Sequence, residues 1–126
     1  MTLRMRSWLF APGDSERKMN KAVASDADIV LLDLEDSVTP QSKAAARQEV
    51  ARVLNSVADT ARVWVRINPL DTDDAVQDLV AVVPASPGGV LLPKAEGAPH
   101  ISQLHHYLIA RVTANVLEPG STRFAA

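Results

Sequence analysis

No cysteine occurs anywhere in the chain. That excludes disulfides, thiolate metal sites and a cysteine nucleophile, and it suits the cytoplasm. An excess of one charge is also missing: 13 Lys and Arg stand against 15 Asp and Glu, for a net charge of −2. Without a basic excess there is nothing to draw in a phosphate backbone, so no nucleic-acid partner is expected. Long apolar runs are lacking too. Arg4 and Arg6 precede an apolar run of only Trp8 to Ala11, too short for the core of a secretion signal. Nothing approaches the roughly 20 apolar residues that span a bilayer, so no membrane partner is expected. There is no glycine-rich P-loop, GxGxxG or GxSxG, which removes the nucleotide and serine-hydrolase motifs. The chain is nevertheless 47% hydrophobic, and with so small a net charge that excludes disorder.

What is present is an alternation. Ser7-Trp8-Leu9-Phe10 reads as a strand ended by a turn at Pro12-Gly13. Asp14 is placed to cap a helix whose face carries Met19, Ala22 and Val23. Asp28-Ile29-Val30-Leu31-Leu32 is a continuous aliphatic run, as in a parallel strand buried on both faces. Thr39 and Pro40 resemble an N-cap with proline at the first helical position. Ala46, Val50, Val53, Leu54 and Val57 then recur at helical spacing. Residues 62–67 read as a strand. Asp71 is placed to cap a helix with Val76, Leu79, Val80 and Val83 on one face. Pro87-Gly88-Gly89 precedes a short buried strand at Val90-Leu91-Leu92. Ile101, Leu104, Leu108 and Val112 form a helical stripe, and Thr122-Arg123-Phe124 starts a fifth strand. Four βα units and the start of a fifth make an α/β protein with parallel strands. The period alone favours a doubly wound sheet, which closes its core within a chain of this length. The other candidate is part of a (β/α)8 barrel, whose full form takes about 250 residues.

In both architectures function gathers at the C-terminal ends of the strands. After the first strand comes Pro12-Gly13, and then Arg17 and Lys21 four residues apart on one helix face. A helix start after a glycine turn suits a phosphate-bearing group. After the second strand comes Asp33-Leu34-Glu35-Asp36-Ser37. Three carboxylates so close raise one another's pKa unless a cation or donors offset them, and Mg²⁺ with its waters is such a cation. Arg66, inside an apolar strand, needs an anionic partner. That partner is one of these carboxylates or the carboxylate of a substrate. Asn68 adds a donor and an acceptor nearby. Lys94, after the fourth strand, is a candidate for the same mouth. His100, His105 and His106 read as ordinary residues of a helix and its approach, not as metal ligands.

Four motifs in order are similar to one family: 6–14 (RSWLFAPGD), 33–38 (DLEDSV), 65–68 (VRIN) and 91–96 (LLPKAE). They resemble the citrate lyase β-subunit-like branch of the HpcH/HpaI aldolases. The resemblance implies a (β/α)8 barrel in place of a doubly wound sheet, with residues 1–126 as a truncated N-terminal half. It implies Mg²⁺-dependent cleavage or formation of a carbon–carbon bond. The reaction would join or separate a 2-oxo acid and an acyl-CoA or acyl-carrier thioester. On that resemblance Glu35 and Asp36 are catalytic residues beside the metal and its waters. Arg66, with Asn68 and Lys94, binds substrate, and Pro12, Gly13, Arg17 and Lys21 meet the CoA phosphates. The direct metal ligands are expected beyond Ala126, so this chain alone is expected to lack lyase activity. Homo-oligomers are common in the family. Two other readings are a catalytically dead half-barrel that binds or assembles, and a signalling receiver domain with Asp33 as phosphoacceptor.

Overall fold

The computed structural model describes residues 7–69, 72–92 and 123–125, the last three by their backbone alone. The strands are β1 (Trp8–Pro12), β2 (Ile29–Asp33), β3 (Val63–Arg66), β4 (Gly89–Leu91) and β5 (Arg123–Ala125). The helices are α1 (Glu16–Val23), α2 (Lys43–Ser56) and α3 (Asp73–Val82). Every residue of β2 is buried, as its unbroken aliphatic run requires of a central parallel strand. β1 runs on to Pro12, two residues past its expected end at Phe10. Proline is tolerated there because β1 is an edge among the described strands.

The helices follow the expected periodicity, with corrections at their ends. Met19 and Ala22 bury α1, and Ala46, Val50, Val53 and Leu54 bury α2. The cap of α1 is Ser15 and not Asp14: the Ser15 hydroxyl accepts from the Lys18 N–H at 3.3 Å. Thr39 and Pro40 open a single 3-10 turn, Pro40–Ser42, that leads into α2. α3 begins after Thr72, and Asp71 lies outside the described residues. Its buried row is Ala75, Asp78, Leu79 and Val82, while Val76 and Val80 are 44% and 40% exposed. Leu79 and Val83 of the expected face are buried, while the places of Val76 and Val80 in the buried row are taken by Ala75, Val82 and a paired carboxylate, Asp78. The expected stripe from Ile101 to Val112 and the three histidines lie outside the described residues. Among the described residues no helix is long and apolar enough to cross a membrane.

The sheet decides between the two architectures. Its order is β1-β2-β3-β4-β5, with every pairing parallel. A doubly wound sheet, a receiver domain included, reverses strand order at a switch point. No reversal occurs here, so both of those readings are set aside. The helices also share one face. Met19, Val50 and Leu79 pack with Val30, Leu32, Val65 and Val90 in the main core. The opposite face holds a separate cluster of Ile29, Leu31 and Trp64, with Leu91 against it. Sequential parallel strands with helices on a single side form the wall of a (β/α)8 barrel. At the opposite end of the strands Arg62 ties the layers together. Its guanidinium donates to the carbonyls of Val23, Ser25 and Ala27, where α1 ends.

The inner cluster depends on one glycine. Trp64 pairs in register with Gly89, and a Cβ on Gly89 would meet the indole ring at 2.4–2.5 Å. The ring is buried and packed edge-on against Trp8, centroids 5.7 Å apart, so it has little room to yield. Gly89→Ala is therefore expected to cost about 1–3 kcal/mol and to alter the near-UV signal of the tryptophans. Chemical denaturation checks this, and an unchanged midpoint would count against the packing described.

Candidate functional site

The register places Pro12, Asp33 and Arg66 side by side at the C-terminal end of the sheet. Asp33 closes β2 and is 2% exposed. Arg66 closes β3 and grips it by a fork: Nε donates to Oδ1 at 2.9 Å and Nη2 to Oδ2 at 2.8 Å. The turn after β2 curls back onto the same carboxylate. The Glu35 N–H donates to Oδ1 at 2.8 Å, and the Ser37 N–H and hydroxyl donate to Oδ2 at 3.0 and 2.7 Å. Asp33 thus accepts five hydrogen bonds. Burial opposes its ionisation, but the Arg66 fork and the turn's donors outweigh burial and hold its carboxyl at about 2.

The neighbouring acids are in the opposite condition. Burial pushes the Glu35 carboxyl up, a hydrogen bond and the charge of Asp36 push it further, and Arg66 pulls it back. Glu35 stands 4.0 Å from Arg66 Nε. Asp36 is exposed at the mouth. A cleft of about 270 Å³ opens beside Asp36, lined by Phe10, Ala11, Pro12, Asp33, Asp36, Ser37 and Arg66. The Phe10 ring lies 5.2 Å from the guanidinium carbon of Arg66, a cation–π distance. Among the described residues no hydrogen bond engages Arg66 Nη1. One edge of the guanidinium is anchored, and the other is outside that fork in a residue that lines the cleft.

A family model described as HpcH/HpaI aldolase/citrate lyase matches residues 6–124. The chain belongs to that family. A citrate lyase subunit beta-like protein of Mycobacterium tuberculosis is 41% identical over 97 residues, covering 77% of this chain and 34% of that protein. The L-malyl-CoA/beta-methylmalyl-CoA lyase of Cereibacter sphaeroides is 44% identical over 77 residues, 60% of this chain and 24% of that protein. The solved citrate lyase beta subunit of M. tuberculosis, complexed with oxaloacetate and magnesium, superposes with a TM-score of 0.71 at 33% identity. That match covers 98% of this chain and 59% of the solved one. The chain spans under half the length of the curated relatives it matches.

Of the residues singled out by sequence, Pro12, Asp36 and Arg66 line one cleft, and Glu35 adjoins it. Gly13 is buried against the turn. Its N–H donates to the Asp33 carbonyl at 2.8 Å, and a Cβ there would meet that oxygen at 2.6 Å. Gly13 therefore closes β1 onto β2 and offers no N–H to an anion. Arg17 and Lys21 are exposed on α1 and do not line the cleft. Asn68 is buried on the helix side with its amide fully engaged. Nδ2 donates to the Leu34 carbonyl and to Asp78, and Oδ1 accepts from Lys43 at 2.7 Å. Lys94 lies outside the described residues. Sequence reasoning passed over Phe10 and Lys43. Phe10 sits two residues before Pro12 and so on the same face of β1, a period-two signal that was there to be read.

Among the described residues no three acidic or histidine side chains are arranged to hold a metal ion. Asp33 is committed to Arg66, which leaves the pair Glu35 and Asp36. The described residues alone do not constitute a magnesium site.

The Asp33 shift has a consequence for acid stability. The carboxyl ionises more readily folded, at about 2, than at its ordinary 3.8. Its stabilisation is complete above about pH 4 and is lost as pH falls through about 2, a contribution of about 2 kcal/mol. Asp33→Asn is expected to lower stability by about 3 kcal/mol at pH 7 and to flatten the acid limb in that window. Denaturant titrations at stepped pH measure both effects. An unchanged acid limb would show that the fork contributes nothing.

Proposed function

We propose that this chain carries the 2-oxo acid-binding end of a magnesium-dependent carbon–carbon lyase. Its substrates are 3-hydroxyacyl thioesters of the malyl, citramalyl or citryl kind. The observation that carries the reading is the half-used guanidinium of Arg66, which lines the cleft, is anchored on Asp33 through Nε and Nη2, and has Nη1 outside that fork. Support comes from a relative that cleaves malyl-CoA by name and from a solved relative complexed with a 2-oxo acid.

In the cleavage direction the 3-hydroxyl loses its proton and its oxygen becomes the carbonyl of the oxo acid. The adjacent carbon–carbon bond breaks, and its electron pair passes to the thioester as an enolate that is then protonated on carbon. Arg66 holds the carboxylate of the departing oxo acid, so the bond to be broken lies in a fixed direction. The Phe10 ring walls the apolar side of the cleft and helps exclude water. Glu35, whose carboxyl is pushed up by burial and by Asp36, is suited to carry a proton at this end of the sheet. Arg17 and Lys21 meet the CoA phosphates from α1, with Pro12 and Gly13 shaping the approach, and Lys94 is assigned to substrate binding. Asn68 serves substrate binding through the backbone it supports.

Arg66→Lys keeps the charge and loses the fork. Pyruvate affinity, read from tryptophan fluorescence or by calorimetry, is expected to fall at least about tenfold. Wild-type affinity in that variant would overturn the assignment. The purified 126-residue chain is expected to bind pyruvate without cleaving malyl-CoA, and measurable Mg²⁺-dependent cleavage would sink that part. For the thioester, Arg17→Ala with Lys21→Ala is expected to weaken CoA binding about tenfold at low salt and less as salt screens the phosphates. Equal affinity of the double variant and the parent at every ionic strength would remove both residues from the site.

A further inference from the structure

Lys43 is the first residue of α2, a place where a cation opposes the helix dipole. No acidic residue occupies that first turn, and no side chain caps it. The sequence thus places a positive charge where helix formation disfavours one. Among the described residues its ammonium reaches no carboxylate. It donates to the Leu34 carbonyl at 3.0 Å, to the Glu35 carbonyl at 3.2 Å and to Asn68 Oδ1 at 2.7 Å. Those acceptors belong to the turn after β2 and to the end of β3, on the helix side of the sheet. Asn68 is held in turn by buried Asp78, which bonds both its N–H and its Nδ2, and Arg47 Nε closes on Asp78 at 2.8 Å.

We infer that Lys43 is a positioning residue for Arg66, acting through the turn that it grips. The connection runs through named bonds. Lys43 holds the carbonyls of Leu34 and Glu35. The N–H groups of Glu35 and Ser37 hold the two oxygens of Asp33. Asp33 holds the two anchored nitrogens of Arg66. Release of the first pair lets the turn rotate, removes donors from Asp33 and frees the guanidinium to leave its fixed direction. The cost of a cation at the start of α2 is offset by three acceptors, and what it secures is the direction of Arg66. The consequence for oxo-acid binding rests on the function proposed above, whereas the consequence for the turn does not.

The test uses the full chain and hydrogen exchange followed by NMR. In Lys43→Met, protection of the Glu35 and Ser37 amides and of the Arg66 Nε–H is expected to fall about tenfold. Leu32, within β2, should keep its protection, which a general loss of stability would not allow. Pyruvate affinity should fall together with the three signals. Lys43→Gln, a milder change that keeps a neutral donor, is read in the same way should the methionine variant fail to fold. Unchanged protection at all three groups in a folded variant overturns the inference, as does an equal loss at Leu32. If the parent chain binds no pyruvate while the three signals still fall together, the functional proposal fails and the positioning role stands.

Discussion

Asp33 and Arg66 are two opposite charges at the ends of adjacent parallel strands, one of them almost wholly out of water. A buried carboxylate is tolerable only when paired and fully hydrogen-bonded. The chain meets that demand twice, with the guanidinium fork and with the donors of the turn that follows β2. Much of the local architecture follows. The turn must curl back to bring its N–H groups to Asp33. Gly13 must lack a side chain so that β1 can close on the Asp33 carbonyl. Asp36 lines the cleft and Glu35 adjoins it, and Arg66, the one cation among its described lining residues, is already half committed.

A second polar cluster stands on the other side of the sheet. Lys43, Asn68, Asp78 and Arg47 link α2 and α3 to the strand ends, and Arg47 also pairs with Asp74. Burial pushes the Asp78 carboxyl up, against hydrogen bonds from Asn68 and Arg47 that pull it down. The two clusters meet at the backbone of Leu34 and Glu35. One supplies the groups that face the cleft, and the other fixes the backbone that presents them. This division is sound physically, because a side chain exposed to ligand cannot also be locked from every side.

Several features of the site were legible in the residues alone. Three carboxylates after an aliphatic run, an arginine within an apolar strand and a glycine turn before a helix each announced an unusual environment. Arg66 was read as needing an anion, and Asp33 supplies it. Other features were misread for identifiable reasons. Val76 and Val80 are more apolar than Asp78, so periodicity favours them beside Leu79 and Val83, yet the buried face shifts to take in the paired acid and leaves both valines exposed. Asn68 stands two residues from Arg66, which suggests a shared site, but its amide is engaged on the helix side of the sheet. Lys43 gave no signal in a list of motifs, since its importance lies in contacts with carbonyls that any residue could carry.

By itself the sequence determined the elements and their chemistry: parallel α/β units, apolar faces at helical spacing, and acidic and basic residues collected at strand ends. Those follow from local period and from the cost of burying charge, which short stretches of chain already express. The architecture was undetermined by period alone, because doubly wound sheets and barrels repeat the same βα unit. Strand order separated them, and order is a property of which edges pair, so it exists only once the sheet is assembled. The pairing of Asp33 with Arg66, 33 residues apart in sequence, is of the same kind. Composition required some partner for the arginine, and the register of β2 against β3 decided which one.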